Sequence, residues 1–107
     1  MEHEIRSEGR FTVIALNGEV DMRHSPMARK IILASLEQSR PLLVELSGVA
    51  YIDSSGVASL VEGLQLAKKK GLEFCLAGVS QPVMNVLKLA RLDRVFIIHA
   101  TLEAALA

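Results

Sequence analysis

The residues best placed to do chemistry in this chain are Asp53-Ser54-Ser55-Gly56, which stand where a run of strand-forming residues ends and a periodic helix begins. The first turn of a helix presents unpaired backbone N–H groups and a partial positive charge, so a hydroxyl held there can carry a phosphate at modest electrostatic cost. Ser55 is therefore the residue most suited to act as a switch. Asp53 or Ser54 can cap the helix; a serine beyond the cap is not needed for capping. Gly56, a poor helix former, is expected to leave the hydroxyl accessible.

Other chemistries fit less well. A nucleophile elbow requires G-x-S-x-G, but Ile52 stands two before Ser54 and Asp53 two before Ser55. Asp93 and His99 come later in a Ser-Asp-His order, yet a lone histidine beside a C-terminal strand is a packing or surface residue more often than a catalytic one. Glu19, Asp21 and Asp53 are hard oxygen donors, and His3, His24 and His99 are nitrogen donors. The histidines show no close spacing, and the acids have ordinary roles as caps and loop solvators. The seven glycines form neither G-x-x-x-x-G-K-[ST] nor G-x-G-x-x-G, which leaves only a weak nucleotide contact at the serine turn open, and no cofactor or metal is expected.

The elements around the serine turn can be read from periodicity. Val57, Leu60, Val61 and Leu64 recur at the spacing of one helical stripe, Lys68, Lys69 and Lys70 gather in the last turn, and Gly71 offers a left-handed stop. These signals predict a helix from Ser54 to Lys70. Upstream, strands are predicted around Glu4 to Ser7 and over Phe11 to Leu16, paired as a hairpin through Gly9. Ser25-Pro26 reads as a helix start, with serine as cap and proline at the first position. Ala28, Ile31, Ile32 and Leu36 form its apolar face, and Pro41 marks its end. Leu42 to Leu46 is a short apolar strand. Downstream come a strand at Glu73 to Ala77, a helix from Gln81 to Ala90, a strand at Val95 to Ile98 and a short helix from Thr101 to Leu106.

The order β-β-α-β-α-β-α-β-α implies an α/β fold: four or five strands in a mixed, largely parallel sheet with right-handed crossovers and about four helices packed around it. If the second and third strands run parallel, their carboxyl ends share one sheet edge. Asn17 to Met22 and Gly48 to Ser55 then become neighbouring loops, and Asp21 and Asp53 approach Ser55.

Composition sets the outer limits. A chain of 107 residues is long enough for one domain burying about two-thirds of its unfolded surface. Half its residues are hydrophobic but only 4% aromatic, so the core must be aliphatic. Twelve basic and twelve acidic side chains cancel, which argues against nucleic acid as a partner. Met1-Glu2-His3-Glu4 has no apolar signal region, and no apolar run approaches the roughly 20 residues that cross a bilayer. A cytoplasmic protein without direct membrane insertion is expected. Cys75, the single cysteine, lies in the apolar run Phe74 to Ala77 and is read as a small buried hydrophobe.

Gly18-Glu19-Val20-Asp21, Leu43-Val44-Glu45-Leu46, Tyr51-Ile52-Asp53-Ser54-Ser55-Gly56-Val57 and Leu66-Ala67-Lys68-Lys69-Lys70-Gly71 together resemble a STAS domain, specifically a bacterial anti-sigma factor antagonist. The resemblance spans nearly the whole chain. It implies a non-enzymatic, phosphorylation-controlled binding module. Its partners would be an anti-sigma factor that is itself a serine kinase, which phosphorylates Ser55, and a serine phosphatase that reverses the change. It also implies that Asp21, Asp53, Ser54 and Gly56 lie at the partner-facing surface. Val57-Ala58 departs from the Leu-Gly more usual after this turn. An alternative implied by similar small STAS proteins is an accessory subunit docked on the ATPase of an ABC-type phospholipid transporter, with no need of a phosphate.

Overall fold

A computed structural model describes residues 1–107. The chain opens with a hairpin of β1 (Glu2–Glu8) and β2 (Phe11–Val20), then continues through α1 (Ser25–Leu36), β3 (Leu42–Ile52), α2 (Ser54–Lys70), β4 (Phe74–Ala77), α3 (Gln81–Leu89), β5 (Ile97–His99) and α4 (Leu102–Leu106). The five strands lie side by side in chain order, β1 antiparallel to β2 and every later pair parallel. This is the expected mixed sheet with four helices.

Alternation along the strands sends side chains to two different cores. Ile14, Leu16, Val44, Leu46 and Leu76 meet Ala28, Ile32 and Leu36 of α1, Val57, Leu60, Leu64 and Ala67 of α2, and Val83 and Leu87 of α3 in one cluster of 20 buried residues. On the opposite face Phe11, Val13, Leu43, Cys75 and Ala77 meet Ala105 of α4 in a cluster of only 6. Cys75 is fully buried there, and burial together with the Glu73 charge pushes its thiol up to about 11.

Several boundaries differ from the sequence expectation. β2 and β3 run on as paired strands to Val20 and Ile52, where loops were expected, and two register shifts interrupt the pairing, between Ala15 and Asn17 and between Gly18 and Glu19. The shifts break the alternation that marks a strand in sequence. Ser25 is not the side-chain cap of α1: the cap position is His24, without a side-chain bond, and Ser25 is a buried first residue. Asp21 satisfies this helix start instead. Its carbonyl accepts from the N–H groups of His24 (3.0 Å) and Ser25 (2.7 Å), and its Oδ1 from those of Arg23 (3.0 Å) and His24 (3.2 Å). The last strand starts two residues later than expected, because a 3-10 turn at Leu92–Arg94 holds the N–H groups of Val95 and Phe96 on the Leu92 carbonyl.

Candidate functional site

Parallel pairing of Val20 with Ile52 brings the ends of β2 and β3 together, and the turns that leave these two strand ends form the site. Asp53 is the N-cap of α2, in extended conformation, and its two carboxylate oxygens take different partners. Oδ1 accepts from the backbone N–H of Ser55 at 2.9 Å, from that of Gly56 at 3.2 Å and from the Ser55 hydroxyl at 2.5 Å. Oδ2 accepts from the Met22 N–H at 3.1 Å, which ties the turn after β2 to the start of α2. The Ser55 hydroxyl bond, with the N–H groups of Gly56, Ser55 and Met22, holds the Asp53 carboxyl below the usual carboxylate range despite partial burial.

Asp21 stands in the adjoining turn, but its oxygens serve that turn. Desolvation pushes its carboxyl up, and the bonds from Arg23 and the His24 backbone outweigh this, so it too lies below the usual range. Arg23 Nη2 is 3.3 Å from Oδ2 and His24 Nδ1 is 2.9 Å from Oδ1. The expected approach of the two loops is therefore real, and the link to Ser55 runs through the Met22 N–H and Asp53, not through the Asp21 side chain.

Gly56 has a different role from the one expected of it. It is buried, and a Cβ there would come 2.5 Å from the Val20 carbonyl and 2.6 Å from Ile52 Cγ1, so only glycine lets the first turn of α2 lie against the strand ends. Hydroxyl access is set by another surface. Ser54 is exposed, whereas Ser55 is half-buried and opens on a groove of about 290 Å³ between the N-terminal turns of α1 and α2. In the groove the Ser59 hydroxyl lies 3.2 Å from the carbonyls of both Ser25 and Ser55, and Arg29 Nε meets Glu62 Oε2 at 2.5 Å.

Sequence reasoning missed three of the seven large apolar side chains that the chain leaves exposed: Met22 (75%), Tyr51 (50%) and Met27 (46%), near the two strand ends and in the first turn of α1. None belongs to a buried stripe, and that mismatch was the available signal. His99, by contrast, pairs with Ala77 on the edge strand β5, and the hydrogen-bond partner of Ser55 is a carboxylate, not an imidazole. No three histidine, cysteine, aspartate or glutamate side chains gather to hold a metal ion, and no helix is long and apolar enough to cross a membrane.

Comparison with known proteins bears on this geometry. The family model of the STAS domain matches residues 2–105. The chain is 27% identical over 90 residues to the anti-sigma-B factor antagonist of Bacillus subtilis, covering 84% of this chain and 83% of that protein. It is 26% identical over 89 residues to the anti-sigma F factor antagonist of Paenibacillus polymyxa, covering 81% and 76%. Among solved structures, an anti-sigma factor antagonist from Mycobacterium paratuberculosis superposes with a TM-score of 0.89 at 26% identity, covering 98% of this chain and 90% of that one.

Proposed function

The chain belongs to the STAS domain family, and from that premise we propose that it is an anti-sigma factor antagonist: a partner-switching regulator that binds an anti-sigma factor kinase when Ser55 is free and releases it when Ser55 is phosphorylated. The observation that carries the reading is the Ser55 hydroxyl, donated to Asp53 at the first turn of α2, in a chain whose relatives are named as antagonists of anti-sigma factors.

Physical chemistry supports a substrate role for this serine. In phosphoryl transfer from ATP the hydroxyl oxygen bonds to the γ-phosphorus, the bond to ADP breaks and the hydroxyl proton leaves. Asp53 orients that hydroxyl, but a carboxyl held below its usual range is a weak proton acceptor, so the base is expected to come from the kinase. The product carries about 1.5 to 2 extra negative charges beside Asp53. At an interface fitted to a neutral hydroxyl this costs desolvation and repulsion, and a penalty of about 3 kcal/mol weakens binding more than roughly 100-fold. Met22, Tyr51 and Met27 supply exposed apolar area near the strand ends and at the start of α1, and Asp21, Asp53 and Ser54 belong to the same partner-facing surface, with Gly56 buried behind them.

The test is capture of partners from the native cell with phosphopeptide mass spectrometry. Ser55→Ala is expected to abolish phosphorylation and keep binding; Ser55→Asp is expected to weaken binding of the kinase. Modification at another residue, or none with the partner kinase and ATP, would overturn the switch at Ser55; capture of a transporter ATPase subunit unaffected by Ser55→Asp would replace this reading with that of a transporter accessory subunit.

A further inference from the structure

The groove beside Ser55 contains a cation for which the partner switch as described has no use. Arg29 of α1 faces Ser55, Ser59 and Glu62 of α2 across it, and pairs with Glu62. In the unmodified protein Ser55 gives its hydroxyl hydrogen to Asp53 Oδ1. Once esterified, that oxygen has no hydrogen to give, and a phosphate of about −1.5 to −2 meets a carboxylate where it formerly had a partner. Asp53 cannot step aside, because it also holds the N–H groups of Ser55, Gly56 and Met22. The phosphoryl group must turn away from Asp53, and the open space on which Ser55 borders is the groove.

Inside it the phosphate competes with Glu62 for Arg29. Both partners of the existing pair are about half exposed, 53% and 43%, so solvent screens their attraction and exchange costs little. A dianion with three acceptor oxygens binds a guanidinium more strongly than one carboxylate, and does so bidentately. We infer that phosphorylated Ser55 lodges its phosphate in the groove between α1 and α2 and draws Arg29 away from Glu62. This rests on Ser55 being the residue that is phosphorylated. The added charge stays at the start of α1 and α2, where a partner would meet it, and the modified state is a defined conformation held by the protein's own arginine. The charged and titratable groups on the surrounding elements are Asp53 before α2, Glu62 on α2, Arg29 on α1, and Asp21, Arg23 and His24 in the turn before it.

The experiment needs no kinase. Phosphoserine is installed at position 55 by genetic code expansion in the full chain, and the second ionisation of the phosphate, near pH 6 when free, is followed by ³¹P NMR. A guanidinium in contact stabilises the dianion, so Arg29→Gln is expected to raise the midpoint by about one unit, and Arg29→Lys to raise it less. The comparison is repeated in the Glu62→Gln background, which removes the acid's own effect on the phosphate. Equal midpoints with and without Arg29 in that background overturn the inference. Failure of Ser55 as the natural acceptor would appear elsewhere, as a missing phosphopeptide after treatment with the partner kinase, so the two failures have separate readouts.

Discussion

At the scale of single residues, Asp53 holds most of the site together. One carboxylate caps α2, receives the Ser55 hydroxyl and fastens the turn after β2 through Met22. Its identity as a cap was legible in the sequence, since aspartate before a periodic run is a helix start; its bond to Met22 was not, because nothing local records which backbone N–H a second oxygen will find across 31 residues. Gly56 was legible only as an oddity. The carbonyl of Val20 that excludes a Cβ belongs to a strand far away in the chain. The lowered carboxyl of Asp53 leads to a signed prediction. A folded value below the unfolded one means stability that is present above the unfolded pKa, about 3.9, and lost as pH falls through the folded value. Asp53→Ala is expected to lower the urea midpoint at pH 7 with little change in slope. The gap between variant and wild type should shrink steadily below about pH 4. A gap that stayed constant down to about pH 2 would show that the carboxylate's charge contributes nothing.

At the scale of elements, helices were read well and strand ends poorly. The stripes of α1 and α2 repeat over enough turns to stand out, and Gly71 closes α2 in the left-handed conformation as expected. The last residues of β2 and β3 pair through two register shifts, with exposed and buried positions out of alternation, so their pattern resembles a loop. Packing between helices was hidden as well. Gly63 stands in the middle of α2, where alanine is the better helix former by about 1 kcal/mol. A Cβ there would lie 2.6 Å from Ile32 Cγ2 and 2.8 Å from Phe74 Cε2, and Ile32 is fully buried, so a neighbour must shift within a packed core. Gly63 therefore sets how closely α1 and α2 approach, and with that the width of the groove beside Ser55. Gly63→Ala is expected to destabilise by about 1 to 2 kcal/mol in urea unfolding, overpacking outweighing propensity. The exposed control Gln65→Ala should stay within about 0.5 kcal/mol of wild type. Stabilisation by Gly63→Ala would mean that the helices have slack, and the groove with them.

At the scale of the whole molecule, the sheet is covered unequally. Three helices and 20 buried residues protect one face, while the other relies on 6 buried residues and the five-residue α4. A helix that short has no stability of its own and is held only by the Thr101 cap and the apolar contacts of Leu102, Ala105 and Leu106. Local opening of α4 should therefore cost much less than unfolding the site face, so the weak layer is kept apart from the switch. Cys75 reports on that layer, because it lies under α4 with its thiol pushed up to about 11. At pH 8 only about one native thiol in a thousand is ionised, against about a quarter of ordinary thiols with a pKa near 8.5. Labelling of the native protein with a thiol reagent is accordingly expected to be at least roughly 100-fold slower than in urea. If opening of α4 supplies the reactive form, the rate will level off above about pH 9.5, where the opened thiol is almost fully ionised. Leu102→Ala will then raise the rate about tenfold while the urea midpoint falls only slightly. A rate that instead still climbs nearly tenfold per pH unit at about pH 10, indifferent to Leu102→Ala, would mean that the thiol ionises in place under a closed α4, and that this face is as firmly held as the other.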